Sequence, residues 1–139
     1  MAQDLQLAAR LGAHMTSASV FAGGCVGAGA RAGLVRAFPA GPGGWPWATL
    51  AANVVGTAIL AFFATRLQER LPPSTYRRPF LGTGVCGALT TFSTLQIELI
   101  RLARDGHAPL AAAYLVASLV LGLGAMFAVT RLVRRARVR

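Results

Sequence analysis

The sequence predicts an all-α integral membrane protein with four transmembrane helices in each subunit. Of its 139 residues, 55% are hydrophobic and 13% are charged, whereas a soluble domain carries about 25% charged residues. The charged residues also cluster between four long apolar runs. Each run is close to the roughly 20 residues that a helix needs to cross a bilayer.

The four apolar runs form one predicted domain over residues 15–130, and turn or breaker segments join them. Residues 131–139 form a basic tail. Residues 1–14 are mildly amphipathic and unlike the rest, so we interpret them as an N-terminal extension or an expression remnant. The predicted spans cover residues of about 17–38, 47–65, 80–100 and 109–130.

The first span is dense in small residues and contains one charge. Gly23 and Gly27 are four residues apart, as are Gly24 and Ala28. Each pair shares a helix face and allows a second backbone to approach closely, so we expect these pairs to serve packing. Arg31 lies within the apolar run, where a charge is costly. It either faces a polar interior or extends toward the headgroups.

The second and fourth spans carry polar side chains in apolar surroundings. Asn53 needs hydrogen-bond partners, because an unpaired amide in hydrocarbon is costly. It forms either an interhelical hydrogen bond or part of a ligand site. Tyr114 and Ser118 are four residues apart and share one face of the fourth helix. This spacing indicates either a wet track or a helix–helix hydrogen bond.

The third span contains the stretch Gly82–Thr94, which predicts a broken helix. It has three glycines and four threonines in thirteen residues, a poor composition for a continuous helix. At membrane depth, a break is tolerated only where it is buried in protein or lines a water-filled cavity. We therefore expect this stretch to be the functional region. Beyond it, Glu98 has Arg101 one turn away, and a surface ion pair is the simplest interpretation.

Several function classes are excluded by what the sequence lacks. It has no metal-ligand cluster, no Ser/His/Asp or Cys/His set, no nucleotide-binding loop and no pair of intramembrane carboxylates. We therefore predict neither an enzyme nor a proton-driven carrier. The net charge of +10 comes from arginines that flank the apolar runs. This placement favours contact with membrane lipid headgroups over nucleic-acid binding.

Three motifs resemble the Fluc (CrcB) family of fluoride channels over residues of about 17–130. Gly24–Arg31 is similar to GxxGAxxR, and Thr49–Gly56 is similar to TLxxNxxG. Gly84–Glu98 is similar to GxxGGxTTFSTFxxE, although Leu95 stands where the family has its second phenylalanine. Leucine has no positive ring edge, so half of the family's aromatic anion site is missing here.

This resemblance implies a passive, fluoride-selective channel that exports toxic fluoride from the cytoplasm across the inner or plasma membrane. Family members are antiparallel, dual-topology dimers with a broken third helix and two pores. They hold a central structural sodium ion by main-chain carbonyls, which here match Gly87 and Thr90. Arg31 and Glu98 match vestibule positions. The matching pore residues are Asn53, Phe92, Ser93, Thr94, Tyr114 and Ser118.

The partner and the function each have an alternative. The arginines are biased toward one membrane side, yet an inverted homodimer needs insertion both ways. We favour the homodimer, and the alternative is a heterodimer with an oppositely oriented homologue. The alternative functions are a small multidrug-type exporter and a non-conducting membrane subunit. The exporter usually requires a glutamate in its first helix, and the first span has no acid.

Overall fold

A computed structural model describes residues 2–69 and 76–136, with side chains over 12–66 and 76–136. Every regular element in this described part is helical, which confirms the predicted all-α class. A π-helix, Arg78–Cys86, continues directly as α-helix over Gly87–Leu89, and we call the two together α3. The other helices are α1 (Ala2–Ala37), α2 (Trp47–Glu69), α4 (Phe92–Arg104) and α5 (Ala108–Arg135).

Four segments of the described chain are long and apolar enough to cross a membrane, as the sequence predicts. The segments are Gly12–Ala37, Trp47–Arg66, Arg78–Arg104 and Ala108–Arg135. Each overlaps one predicted span. The helix α1 begins at Ala2 and so runs through the N-terminal fourteen residues without a boundary at Met15.

Close packing of α1 on α3 depends on the Gly23 and Gly27 pair. A Cβ atom at Gly23 would overlap the main-chain oxygen of Phe80, and one at Gly27 would overlap that of Val85. The two helices therefore touch backbone to backbone and run in the same direction. The other predicted pair behaves differently, because a Cβ atom at Gly24 would meet nothing within 4 Å.

The helix α2 runs antiparallel to α3 and α4. Leu60 lies near Gly82, while Gly56, one turn earlier on α2, lies against Thr90 further along the chain. At Gly56 a Cβ atom would overlap the Thr90 methyl group. Glycine at this position therefore lets α2 approach the junction between α3 and α4.

Thr90 and Thr91 join α3 to α4 in an extended conformation. Their dihedrals are φ −78°, ψ 148° and φ −149°, ψ 117°. Gly87–Leu89 is still α-helical, so the extended residues begin later than the glycine-rich composition suggests. The Thr91 hydroxyl then caps α4 by accepting a hydrogen bond from the Thr94 amide at 3.2 Å.

The buried core is small and lies where α5 packs against α2 and α4. It contains Leu50, Leu95, Leu102, Ala111 and Tyr114. In the 18-residue apolar stretch of α5, 6% of the residues are buried, compared with 39% in the corresponding stretch of α2. The helix α5 therefore presents most of its apolar surface outward, as a helix in contact with lipid or a second protein chain does.

The connection before α2 packs against the turn between α4 and α5. Gly43 has a φ of 66°, and its Cα lies against the imidazole of His107, so a Cβ atom there would overlap the ring. Gly106 also has a positive φ, 83°. Both glycines adopt backbone conformations that other residues rarely take. The close approach of Gly43 to His107 brings the two loops together at one end of the bundle.

We predict that Gly23→Ala destabilises the protein, whereas Gly24→Ala does not. The new methyl group at Gly23 meets a main-chain carbonyl that cannot move aside, and overpacking of this kind costs about 1–3 kcal/mol. At Gly24 the methyl group points into open space and gains helix propensity of up to about 1 kcal/mol. The midpoint of thermal unfolding in detergent measures the stability of each variant. Equal midpoints for the two variants would contradict this packing.

Candidate functional site

The Asn53 side chain pairs with the peptide backbone of Thr91, at the junction of α3 and α4. The Thr91 amide donates to Asn53 Oδ1 at 2.8 Å, and Asn53 Nδ2 donates to the Thr91 carbonyl at 3.1 Å. One side-chain amide thus satisfies both polar groups of a residue that lies outside the helices. The polar partner that Asn53 requires is therefore the main chain of the extended junction between α3 and α4.

The side chains of Asn53 and Thr91 change the bonding of the Gly87 and Thr90 carbonyls, respectively. In a continuous α-helix they would accept from the amides of Thr91 and Thr94, four residues on. Those amides instead donate to Asn53 Oδ1 and to the Thr91 hydroxyl, respectively. Both carbonyls therefore lose their usual helical donor. They are also the two carbonyls that the motif comparison selects as cation ligands.

Phe92 begins α4 and projects away from the helix bundle, with 71% of its surface exposed. It lines a cavity of about 280 Å³ on the outer side of the junction. The residues on either side of Phe92 carry hydroxyl groups that bond to one another. The Thr91 hydroxyl donates to Thr94 Oγ1 at 2.9 Å and lies 3.3 Å from Ser93 Oγ. The cavity is lined by Asn53, Thr57, Leu60, Thr90, Thr91 and Phe92.

A second polar group surrounds the carboxylate of Glu98. Thr49 Oγ1 donates to Glu98 Oε1 at 2.7 Å, and the Tyr114 hydroxyl donates to Glu98 Oε2 at 2.8 Å. The surface ion pair with Arg101 is wrong for the described residues, because no ion pair joins the two side chains. Tyr114 is fully buried, and Ser118 Oγ donates back to the Tyr114 carbonyl at 2.8 Å.

The two polar groups lie along the same faces of α2 and α4, and we call them together the seam. Thr49 and Asn53 are four residues apart on α2, and Thr94 and Glu98 are four residues apart on α4, so each pair shares a helix face. Beyond Glu98 the seam opens into a cleft of about 480 Å³ under the Pro39–Gly44 connection.

Seven of the predicted site residues lie along this seam or at its edge, and an eighth, Ser118, is bonded to it through Tyr114. Gly87 and Arg31 stand apart. Gly87 is exposed on α3. Arg31 is half-buried on α1 and lines neither the cleft nor the cavity. Along the seam or at its edge lie Asn53, Thr90, Phe92, Ser93, Thr94, Glu98 and Tyr114.

Sequence reasoning missed Thr49 and Thr91, which hold this arrangement together. Thr49 bonds the Glu98 carboxylate, and Thr91 provides both the cap of α4 and the peptide that Asn53 binds. The sequence contains a feature that could have indicated each of these two residues. Thr49 is one turn before Asn53 on the same face, and Thr91 is a good N-cap residue directly before an apolar helical pattern.

A family model described as "CrcB-like protein, Camphor Resistance (CrcB)" matches residues 18–130 of this sequence. The chain belongs to the CrcB family. The resemblance seen in the three motifs is therefore confirmed, and all the candidate site residues fall inside the matched range. Together with its four apolar helical segments, this membership identifies a multi-pass membrane protein.

Named relatives of this CrcB-family chain are similar over nearly its whole length. "Fluoride-specific ion channel FluC 1" of Mycobacterium bovis is 57% identical over 122 residues, 88% of this chain and 92% of that protein. The protein of the same name in Mycolicibacterium paratuberculosis is 52% identical over the same shares. The one in Streptomyces coelicolor is 39% identical over 118 residues, 85% of this chain and 77% of that protein.

We predict that Asn53→Leu strongly destabilises this CrcB-family chain. The change leaves both polar groups of the Thr91 peptide without their partner, and each unsatisfied buried group costs about 1–3 kcal/mol. Asn53→Asp, which keeps the acceptor for the Thr91 amide but loses the donor, should fall between Asn53→Leu and wild type. Thr57→Val, one turn along α2 in the same cavity, is the control and should unfold like wild type. An Asn53→Leu protein as stable as this control would show that the Asn53–Thr91 hydrogen bonds do not stabilise the fold.

Proposed function

We propose that this chain is the subunit of a passive, fluoride-selective channel that exports fluoride from the cytoplasm across the inner or plasma membrane. The observation that carries the proposal is the exposed ring of Phe92 at a helix start surrounded by hydroxyl and amide groups. The names of the relatives, fluoride-specific ion channels, support it.

The chemistry of fluoride fits the groups that surround Phe92. Fluoride is strongly hydrated, so a pore must replace its water with hydrogen-bond donors. The hydroxyls of Ser93 and Thr94 and the free second hydrogen of Asn53 Nδ2 can donate. The positive edge of the Phe92 ring provides a further contact for an anion. We therefore assign these four residues to the pore.

We extend the pore to Tyr114 and Ser118 and the vestibule to Arg31 and Glu98. The two hydroxyls at present donate to Glu98 and to the Tyr114 carbonyl, so each must exchange this acceptor to contact a passing anion. Glu98 lines the open cleft at the end of the seam. Hydroxyl hydrogens rotate easily, so such an exchange needs no movement of the backbone.

The exposed junction between α3 and α4 favours a dimer. The Gly87 and Thr90 carbonyls lack their usual helical donors, and backbone groups in this condition cannot face lipid at membrane depth. A second subunit in inverted orientation would cover α3 and α4 and create two pores related by symmetry. A second copy of this chain is the simpler partner, and an oppositely oriented homologue is the alternative.

The Gly87 and Thr90 carbonyls also suit a sodium ion at the centre of such a dimer. Main-chain oxygens bind hard cations, as they do in ion-conducting proteins. The described residues contain no cluster of His, Cys, Asp or Glu that could hold a metal, and it is the family resemblance that implies these carbonyls as ligands. A sodium ion there would supply a fixed positive charge beside the anion path.

Leu95 makes Phe92 the only aromatic contact that this chain offers to fluoride at the start of α4. Its side chain is 6% exposed and packs in the core with Leu50 and Tyr114. Leu95 therefore contributes to the packed core of the subunit. The pore must work with one ring from each subunit, or with a second ring from a partner.

We predict that Phe92→Ile lowers fluoride efflux from liposomes by at least about tenfold, the effect of 1.4 kcal/mol in barrier height. Isoleucine fills similar space but has no positive ring edge. Phe127→Ile is the control, because Phe127 is exposed on α5 and lines none of the cavities described above. A fluoride electrode measures release from vesicles of equal protein content. Equal fluxes for the two variants would remove Phe92 from the pathway.

We predict that a singly expressed chain inserts in both orientations. The chain has no lysine, so labelling of one introduced cysteine is cleaner than amine cross-linking. In a Cys25→Ser background, Gly41→Cys places a thiol in the exposed connection before α2. An impermeant maleimide applied to whole cells should label roughly half of the subunits. Labelling of nearly all or nearly none would contradict the homodimer and leave the heterodimer.

A further inference from the structure

A groove between α1, α2 and α3 lies away from the polar seam and has no role in the proposed pathway. Its volume is about 560 Å³. It extends from the start of α3 toward Leu60, which is also the point where it adjoins the cavity beside Phe92. We call it the α1–α3 groove, and its lining is Thr16, Val20, Leu60, Phe63, Ala64, Arg78, Pro79, Gly82 and Thr83.

The groove is open because Gly82 carries no side chain. A Cβ atom there would meet only Leu60 Cδ1, at 4.0 Å. Apolar side chains from α1 and α2 form the deeper walls, among them Val20 and Phe63. The hydroxyl of Thr16 donates to the Gly12 carbonyl at 2.9 Å, so its hydrogen is used within α1. The deep part of the groove is therefore a slot for hydrocarbon.

The mouth of the groove is positively charged. Arg78 is the one charged residue among the described residues of its lining, and it is exposed at the start of α3. The two described acidic side chains, Glu98 and Asp105, lie at the opposite end of the bundle. Because α2 and α5 run antiparallel to α1 and α3, further described arginines share the Arg78 end, namely Arg66, Arg77, Arg131, Arg134 and Arg135.

We propose that the α1–α3 groove binds an anionic phospholipid, with an acyl chain along Leu60, Phe63 and Gly82 and the phosphate on Arg78. The charge lies at the helix ends, where headgroups lie, and the apolar slot lies deeper, where acyl chains lie. Juxtamembrane arginines attract anionic lipids, and a guanidinium pairs well with a phosphate. This inference stands apart from the proposed function, because lipid binding does not require conduction.

Native mass spectrometry of the purified, delipidated protein tests the proposal directly. The protein is titrated separately with dioleoylphosphatidylglycerol and dioleoylphosphatidylcholine in detergent. Wild type should bind phosphatidylglycerol more tightly. Arg78→Gln should weaken this affinity about tenfold, the loss expected from one charge-assisted contact. Arg104→Gln, an exposed arginine at the other end, should stay within about twofold of wild type on the same scale.

A second variant tests the hydrocarbon slot independently of charge. Gly82→Leu fills the groove without a backbone clash and should displace both lipids, while Gly24→Leu, whose new side chain also points into open space, should not. Equal losses for Arg78→Gln and Arg104→Gln would indicate general surface attraction and overturn the proposal. Equal affinity of wild type for the two lipids would also overturn it. A Gly82→Leu protein that loses its dimer but keeps lipid binding would show that a second chain occupies the groove.

Discussion

The hydrogen-bonded pairing of Asn53 with the Thr91 peptide is the interaction on which the functional region depends. An extended residue between two helices leaves an amide and a carbonyl without helical partners, and in a membrane water cannot replace them. Asn53 supplies both partners from a neighbouring helix. The Thr91 amide is thereby withdrawn from the carbonyl of Gly87. One side chain thus stabilises the irregular backbone between α3 and α4.

Close helix packing places this pairing where it can form. Gly56 lets α2 approach Thr90 to contact distance, and only then can Asn53, one turn earlier, reach the next residue of the junction. On the other side, Gly23 and Gly27 fix α1 against α3 backbone to backbone. A Cβ atom at Gly23 or Gly27 would overlap main-chain oxygens of α3, and one at Gly56 would overlap the Thr90 methyl group. The small residues therefore serve the geometry of the site as well as the stability of the fold.

The sequence was sufficient for the four helical spans, because apolar length alone specifies them. It also indicated that Asn53 needs a polar partner, yet it could not select Thr91, since that contact joins residues far apart in the chain. For the same reason the composition predicted a break only somewhere within Gly82–Thr94, whereas the structure places the extended residues at Thr90 and Thr91. Glu98 was assigned to its sequence neighbour Arg101, but its partners lie on α2 and α5. Local patterns thus predict helices well, and long-range hydrogen bonds require the packed structure.

Anion selectivity is the property that tests the proposed channel most directly. In the proposed channel, hydroxyl, amide and ring-edge donors replace the water around the anion, which favours a small, strongly hydrated anion over a larger one. Liposomes with purified protein can be loaded with equal concentrations of fluoride and chloride and followed with two ion-selective electrodes. We predict rapid release of fluoride while chloride stays inside the vesicles. Retention of both ions, or release of both at similar rates, would contradict the account.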